Sequence, residues 1–329
     1  MVKPSPPPST EAELFFKKVS GGDKAVLAEA LARLERTPES PETVALLSRA
    51  HHSPRAHIVG VTGPPGVGKS TLLGVVIADL RAASRSVGVI AVDPSSHISG
   101  GALLGDRTRI PTDPQDKGVF IRSMAARDRL GGLAALTVPA MVLMSAIYDV
   151  VLVETVGVGQ SETDVGRVAD TVVFCVQPGS GDALQFMKAG IIEIPHIVTV
   201  TKADMKAPAQ AAEADLRNAL IHGSGYGNGQ EKSVWQTRIL SVSSRNKQGT
   251  GELLAAIDAH GSFMEQSGEL ARHRRTRDEA WLSAVVQERY GAEGLSRAGS
   301  LELDPGESPF SRLSDVLMSL ATARSKGLC

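Results

Sequence analysis

Gly63-Pro64-Pro65-Gly66-Val67-Gly68-Lys69-Ser70-Thr71 is a complete G-x-x-x-x-G-K-[ST] phosphate loop, and its flanks decide the fold. Before it, His57 to Thr62 supplies Ile58, Val59 and Val61 as a buried strand; after it, Leu72, Leu73, Val76, Ile77 and Leu80 recur at helical spacing. Glycines let the backbone curl so that successive N–H groups converge on phosphate oxygens, and the positive end of the following helix adds its dipole. In such a loop Lys69 reaches the β- and γ-phosphates and Ser70 ligates magnesium. Residues 63–71 are therefore expected to cradle a nucleoside triphosphate. A glycine-rich turn matching by accident would lack the strand in front and the helix behind.

Outward from the loop, short β-branched runs alternate with helical segments. The runs are Val87 to Val92, Val119 to Ile121, Val150 to Val153, Val172 to Val176, Ile197 to Val200 and Ile239 to Val242. That alternation predicts an α/β phosphate-loop NTPase fold, a mostly parallel sheet flanked by helices. Ala12 to Ala50 predicts two or three N-terminal helices behind a proline-rich lead-in, and Leu253 to Met264 a last core helix. Glu269 to Tyr290 predicts a long Arg-rich helix and Phe310 to Leu320 a shorter amphipathic one. The division expected is a lead-in and helical segment at 1–55, a nucleotide domain at 56–265 and a helical C-terminal arm at 266–329. Leu130 to Tyr148 lacks charge, but Gly131, Gly132 and Pro139 interrupt it, so a soluble helix is preferred to a membrane span.

Bulk composition narrows the partners. With 35 basic and 36 acidic residues the formal charge is -1, which gives no reason to expect binding to nucleic acid or an anionic membrane. Two cysteines make neither a disulfide framework nor a cysteine metal cluster, and a cytoplasmic setting is expected. His51-His52 reads as a solvated helix end rather than a ligand pair.

Three further loops carry chemistry. Val150 to Gln160 delivers Glu154 at a strand end with Gly157 three positions on, so Glu154 should reach magnesium and the Gly157 N–H should sense a γ-phosphate. Thr201-Lys202-Ala203-Asp204 follows another apolar strand at the position where G proteins read guanine. A carboxylate there accepts from guanine N1 and N2, whereas adenine would leave a buried carboxylate unpaired. The Lys202 stem can pack along the base, and Thr201 in place of the usual Asn shortens one arm of the clamp. After the next strand, Ser243 and Ser244 stand where a backbone N–H meets guanine O6. Gln160 lies near the switch, but no residue declares itself the group that orients water.

The segments A-V-D-P-S-S, G-D-R-T-R, V-E-T-V-G-V-G-Q-S-E and P-G-S-G-D-A-L-Q-F-M-K-A-G-I, in order between His57 and Val242, closely resemble the MeaB/ArgK family of GTPases. The resemblance implies a GTP-hydrolysing chaperone of an adenosylcobalamin-dependent acyl-CoA mutase, gating cofactor loading and protecting the enzyme. It implies that Asp93, Asp106 and Glu154 organise the magnesium shell. It also implies a second switch at 179–188, with Asp182 and Lys188 as polar contacts, and a homodimer formed through C-terminal helices that find no partner in the sheet domain. Thr137-Val138-Pro139-Ala140 departs from relatives that more often carry charge there, which bears on the partner-facing surface. Cobalamin itself has no expected site, because Asp258-Ala259-His260 is followed by Phe263 where D-x-H-x-x-G needs glycine. The alternatives are an ATP-dependent kinase or ATPase linked to arginine/ornithine transport, which Asp204 opposes, and a metal-insertion GTPase, which lacks a His- or Cys-rich motif.

Overall fold

The computed structural model describes residues 10–94, 110–126, 136–155, 161–179, 195–223 and 234–325. Among them, seven strands form one parallel sheet in the order β3-β2-β4-β1-β5-β6-β7. The strands are β1 (His57–Thr62), β2 (Val87–Pro94), β3 (Val119–Ala126), β4 (Val150–Glu154), β5 (Thr171–Val176), β6 (Ile197–Val200) and β7 (Arg238–Ser241). The central strands β4, β5 and β6 are buried throughout, as near-continuous apolar runs in a sheet covered on both faces must be. Helix α4 (Lys69–Ala82) lays Leu72, Leu73, Val76, Ile77 and Leu80 on Val59, Val61, Leu152 and Val173. Each such leucine or valine stabilises the sheet by about 1.5 to 3 kcal/mol.

Two compact units emerge. One spans His57–Ala134 and Asp149–Arg274 and holds the sheet. With it go α4, α6 (Ser161–Val168), α7 (Ala207–Gly223), α8 (Thr250–Gln266) and the first turns of α9 (Glu269–Ala298). The other gathers Met1–Ala56, Ala135–Tyr148 and Arg275–Cys329. It contains α1 (Thr10–Ser20), α2 (Lys24–Arg36), α3 (Pro41–His51), α5 (Thr137–Ser145), the rest of α9 and α10 (Pro309–Ser325).

Several expectations change in the helical unit. Among the described residues of the uncharged stretch lies the nine-residue helix α5, every residue of which is buried, so Thr137 to Ala140 is core rather than partner-facing surface. His51 is no solvated end: its Nε2 donates to the buried Asp278 at 2.9 Å, and Asp278 also accepts from Arg277. His52 bonds the Gly306 carbonyl at 2.8 Å. The long C-terminal helix runs past Tyr290 but breaks at Gly291, whose φ of 68° and ψ of -170° are not helical. Its arginines are committed to acids, Arg272 to Glu269, Arg275 to Glu279 and Arg277 to Asp278. Within the sheet unit, Arg274 in the first turns of α9 makes a bidentate pair with the fully buried Asp170.

Asp170 belongs to a buried polar layer at the N-terminal edge of the sheet. Its Oδ2 accepts from the Ile58 N–H at 2.8 Å. Next to it, the Thr171 hydroxyl lies 2.6 Å from His57 Nε2 and 2.6 Å from His260 Nδ1, and with its one proton it donates to at most one of the two imidazoles. His196 Nδ1 accepts from the Val172 N–H at 2.9 Å, and its ring stacks on His260 at 4.0 Å. Loss of water pulls His196 down to about 4 and His260 down to about 3, and neighbouring imidazoles push the same way.

An unfolded histidine takes its proton near 6.5. Because the folded values lie below that, the unfolded chain binds more protons in the interval. Stability is thus complete above about pH 6.5 and declines as pH falls toward 4, by up to about 1.4 kcal/mol per pH unit for each histidine. Urea titrations from pH 8 to pH 5 should show a shallower pH slope in His260→Phe than in the wild type, whatever the variant's stability at pH 8. Parallel slopes would show that the imidazole stack is not the source.

Candidate nucleotide-binding site

Register assembles the site. Parallel pairing aligns Val61 with Glu154 and Thr62 with Phe174, so the chain leaving β1 passes between the ends of β4 and β5. Parallel sheets place ligands in this crevice beyond the carboxyl ends of their strands. Gly63, with φ of 139°, runs so close to β5 that a Cβ would sit 2.3 Å from the Cys175 carbonyl oxygen. Gly66 and Gly68 also hold positive φ, 76° and 102°. These three positions need glycine because an L side chain is strained there. Beneath the loop the Cys175 side chain is fully buried, and burial pushes its thiol up to about 12.

Lys69 opens α4 and is 7% exposed; its Nζ donates to Gly63 O at 2.7 Å and Pro64 O at 3.0 Å, closing the loop on itself. The first turn of α4 carries no acidic residue, and Gly68 supplies no side-chain cap. Its leading N–H groups and the dipole are thus available to an anion. Pro65, Gly66 and Thr71 are exposed, and Val67 is buried.

In the first turn of α4, the Ser70 hydroxyl donates to Glu154 Oε1 at 2.7 Å, although the two residues stand 84 apart in sequence. Glu154 is 5% exposed. A hydroxyl and a carboxylate oxygen side by side at a phosphate loop form a hard donor set, which fits a divalent cation such as magnesium. Among the described residues no cluster of three or more His, Cys, Asp or Glu could hold a metal without other ligands. Thr155 continues the strand end inward, its hydroxyl donating to that of Thr62 at 2.8 Å.

The third edge comes from β6 and β7. Val200 pairs with Val176 and with Ser241, so Gln177, residues 201–204 and residues 242–244 emerge together. Lys202 takes left-handed φ and ψ of 54° and 38° and leads into a short 3-10 turn, Ala203–Met205. Asp204 Oδ1 accepts from the Ser243 hydroxyl at 2.7 Å, and that bond holds its carboxyl below the usual carboxylate range. Asp204 is half-buried rather than buried. Ser243 spends its own N–H on Gln248 O, so within the pair Ser243-Ser244 it orients the carboxylate instead of offering an amide. The Lys202 Nζ donates to Gly66 O at 3.1 Å and to Gln177 Oε1 at 2.6 Å. Thr201 is buried, its hydroxyl turned to Val67 O at 2.7 Å.

The described structure thus brings together Gly63 to Thr71, Glu154, Thr201, Lys202, Asp204, Ser243 and Ser244. Asp106, Gly157, Gln160, Asp182 and Lys188 lie outside the described residues, as does the side chain of Asp93 on β2. Gln177 was missed in the sequence; its one signal was its place at the end of an apolar strand.

A phosphate loop between the ends of parallel strands, closed by its own lysine, defines a P-loop nucleoside-triphosphate-binding protein. The family model described as methylmalonyl-CoA mutase-associated GTPase MeaB matches residues 27–297, and the chain belongs to that family. A Pyrococcus horikoshii protein named as a GTPase is 43% identical over 274 residues, covering 83% of this chain and 84% of its own. The mouse methylmalonic aciduria type A homolog, mitochondrial, is 36% identical over 283 residues, 81% of this chain and 67% of its own. Escherichia coli GTPase ArgK is 34% identical over 278 residues, 83% of each chain. A crystal structure of an LAO/AO transport system kinase superposes with a TM-score of 0.67 at 27% identity, covering 98% of this chain and 100% of that one. The protein is a GTPase, binding the nucleotide and cleaving GTP to GDP and phosphate.

Gly63→Ala should cost about 2 to 3 kcal/mol through backbone strain, beyond the clash with Cys175 O. Thermal unfolding would show this as a lowered midpoint that nucleotide no longer raises. A variant with wild-type melting and wild-type nucleotide protection would refute the close approach.

Proposed function

We propose that this chain is a magnesium-dependent GTPase that serves as chaperone to an adenosylcobalamin-dependent acyl-CoA mutase, gating cofactor loading and protecting the mutase. The observation that carries the nucleotide part is Asp204, held ionised by Ser243 on a turn whose neighbours bond the loop around Lys69. Family membership carries the partner. Cobalamin belongs to the mutase in this reading, and the setting is cytoplasmic.

Phosphoryl transfer needs positioned charge more than covalent chemistry. In this reading Lys69 exchanges its carbonyl partners for the β- and γ-phosphate oxygens, and the loop N–H groups take the growing charge on the leaving GDP. Ser70 and Glu154 would hold the cation, with Asp93 and Asp106 completing its shell as the family resemblance implies. Magnesium held there would supply charge neutralisation to the triphosphate. Water attacks the γ-phosphorus, the bond to the β-bridging oxygen breaks, and the water's proton leaves with inorganic phosphate. Gly157 answers to the γ-phosphate, and the 179–188 segment, with Asp182 and Lys188, answers to the mutase. Slow turnover that quickens on binding the mutase is the expected behaviour. A homodimer through the C-terminal helices is also proposed, on the resemblance alone.

A kinase reading attaches to the name of the solved structure that superposes on this chain. Calorimetry separates the two. GDP should bind with negligible ADP binding, and Asp204→Ala should collapse the preference by roughly 10²-fold or more, because the carboxylate reads groups that adenine lacks. Unchanged purine preference in that variant would defeat the guanine assignment. For the partner, GTP turnover is measured with and without a methylmalonyl-CoA-type mutase. Fast hydrolysis indifferent to the mutase would defeat the chaperone role. Lys69→Ala should lower kcat by about 10²-fold or more while leaving the fold intact by circular dichroism.

A further inference from the structure

Thr201 stands where the sequence suggested a shortened clamp on the purine, yet its hydroxyl faces the other way. The residue is 4% exposed, and Oγ1 lies 2.7 Å from Val67 O in the phosphate loop and 3.0 Å from Val176 O at the end of β5. Its own N–H donates to the same Val176 carbonyl at 2.8 Å. A threonine hydroxyl has one proton, so two carbonyls share it and none is left for a base.

Planarity gives that bond a directional effect. In a trans peptide the carbonyl and the next N–H point to opposite sides. Fixing the Val67 carbonyl on Thr201 therefore aims the Gly68 N–H away from Thr201. Gly68, at φ of 102°, contributes no side chain that could fix this peptide by packing. Lys202 adds a second tether through Gly66 O, but it is exposed and shared with Gln177. Asp204, two residues further along the same turn, carries the carboxylate proposed above to read the purine.

We propose that Thr201 is a positioning residue for the phosphate loop, coupling the purine-reading turn to the loop that holds the phosphates. This rests on the nucleotide site proposed above. Thr201 then governs how tightly any purine nucleotide is held, and Asp204 governs which purine is chosen.

The test uses the full chain with Thr201→Val, which keeps the shape and removes the hydroxyl, Thr201→Ser, which keeps the hydroxyl, and Asp204→Ala. Dissociation constants are measured for GDP, for IDP, which lacks the 2-amino group, and for ADP, with kcat and KM for GTP. Thr201→Val should weaken GDP and IDP by the same factor, roughly three- to ten-fold for one lost hydrogen bond, leaving their ratio within about two-fold of wild type. Thr201→Ser should restore wild-type binding. A changed GDP/IDP ratio in Thr201→Val would mean that the residue touches the base, and unchanged binding of both would mean that the tether does no positioning; either result overturns the proposal. Should the valine variant not fold, Thr201→Cys, a weak donor of similar shape, takes its place with a smaller equal loss expected and the same two refutations. Failure of the underlying site looks different: wild type would not distinguish GDP from ADP, or Asp204→Ala would leave the GDP/IDP ratio untouched.

Discussion

Parallel pairing of β1 between β4 and β5 is the constraint on which the rest depends. It sets Val61 against Glu154, so that a serine in the first turn of α4 meets a carboxylate 84 residues away. It brings the backbone at Gly63 against the end of β5, where only a glycine can pass. Because β6 and β7 continue the same parallel register, the turn at 201–204 and the serines after β7 join the same edge. A one-residue slip in any pairing would turn each delivered side chain to the opposite face.

The outline of this arrangement was legible in the sequence because both signals are local. Short β-branched runs bounded by turns marked the strands, and the G-x-x-x-x-G-K-S spacing marked the loop. Strand limits moved by a few residues at most, the largest change being β3, which continues from Ile121 to Ala126. What the sequence could not display was the direction of side chains whose partners are distant. Thr201 looked like a base contact and is a loop contact; Ser243 looked like an amide donor and is a carboxylate's partner. The His57, Thr171, His196 and His260 layer has no spacing signature, since it comes from two strand starts, the approach to a third and one helix. His51 and Asp278 are separated by 227 residues.

Electrostatics in this chain are local rather than global. A formal charge of -1 gives no field to steer a polyanion, and the arginines at the start of α9 are matched with acids. Two buried carboxylates among them, Asp170 held by Arg274 and Asp278 held by Arg277 and by His51 of α3, specify which elements meet more than they stabilise, because burial costs the charges their water. Among the described residues, the positive potential that a triphosphate requires is concentrated instead in Lys69, the helix end behind it and the loop amides.

Cys175 lies directly under that loop, on the strand whose carbonyl forbids a side chain at Gly63. A buried sulfhydryl kept protonated is closed to alkylating reagents so long as the core around it stays packed. The chain thereby carries its own chemical clock: labelling at this sulfur counts the moments when the packing beneath the cradle opens. Nucleotide that seats the cradle should lengthen the interval between ticks, without any probe having been added.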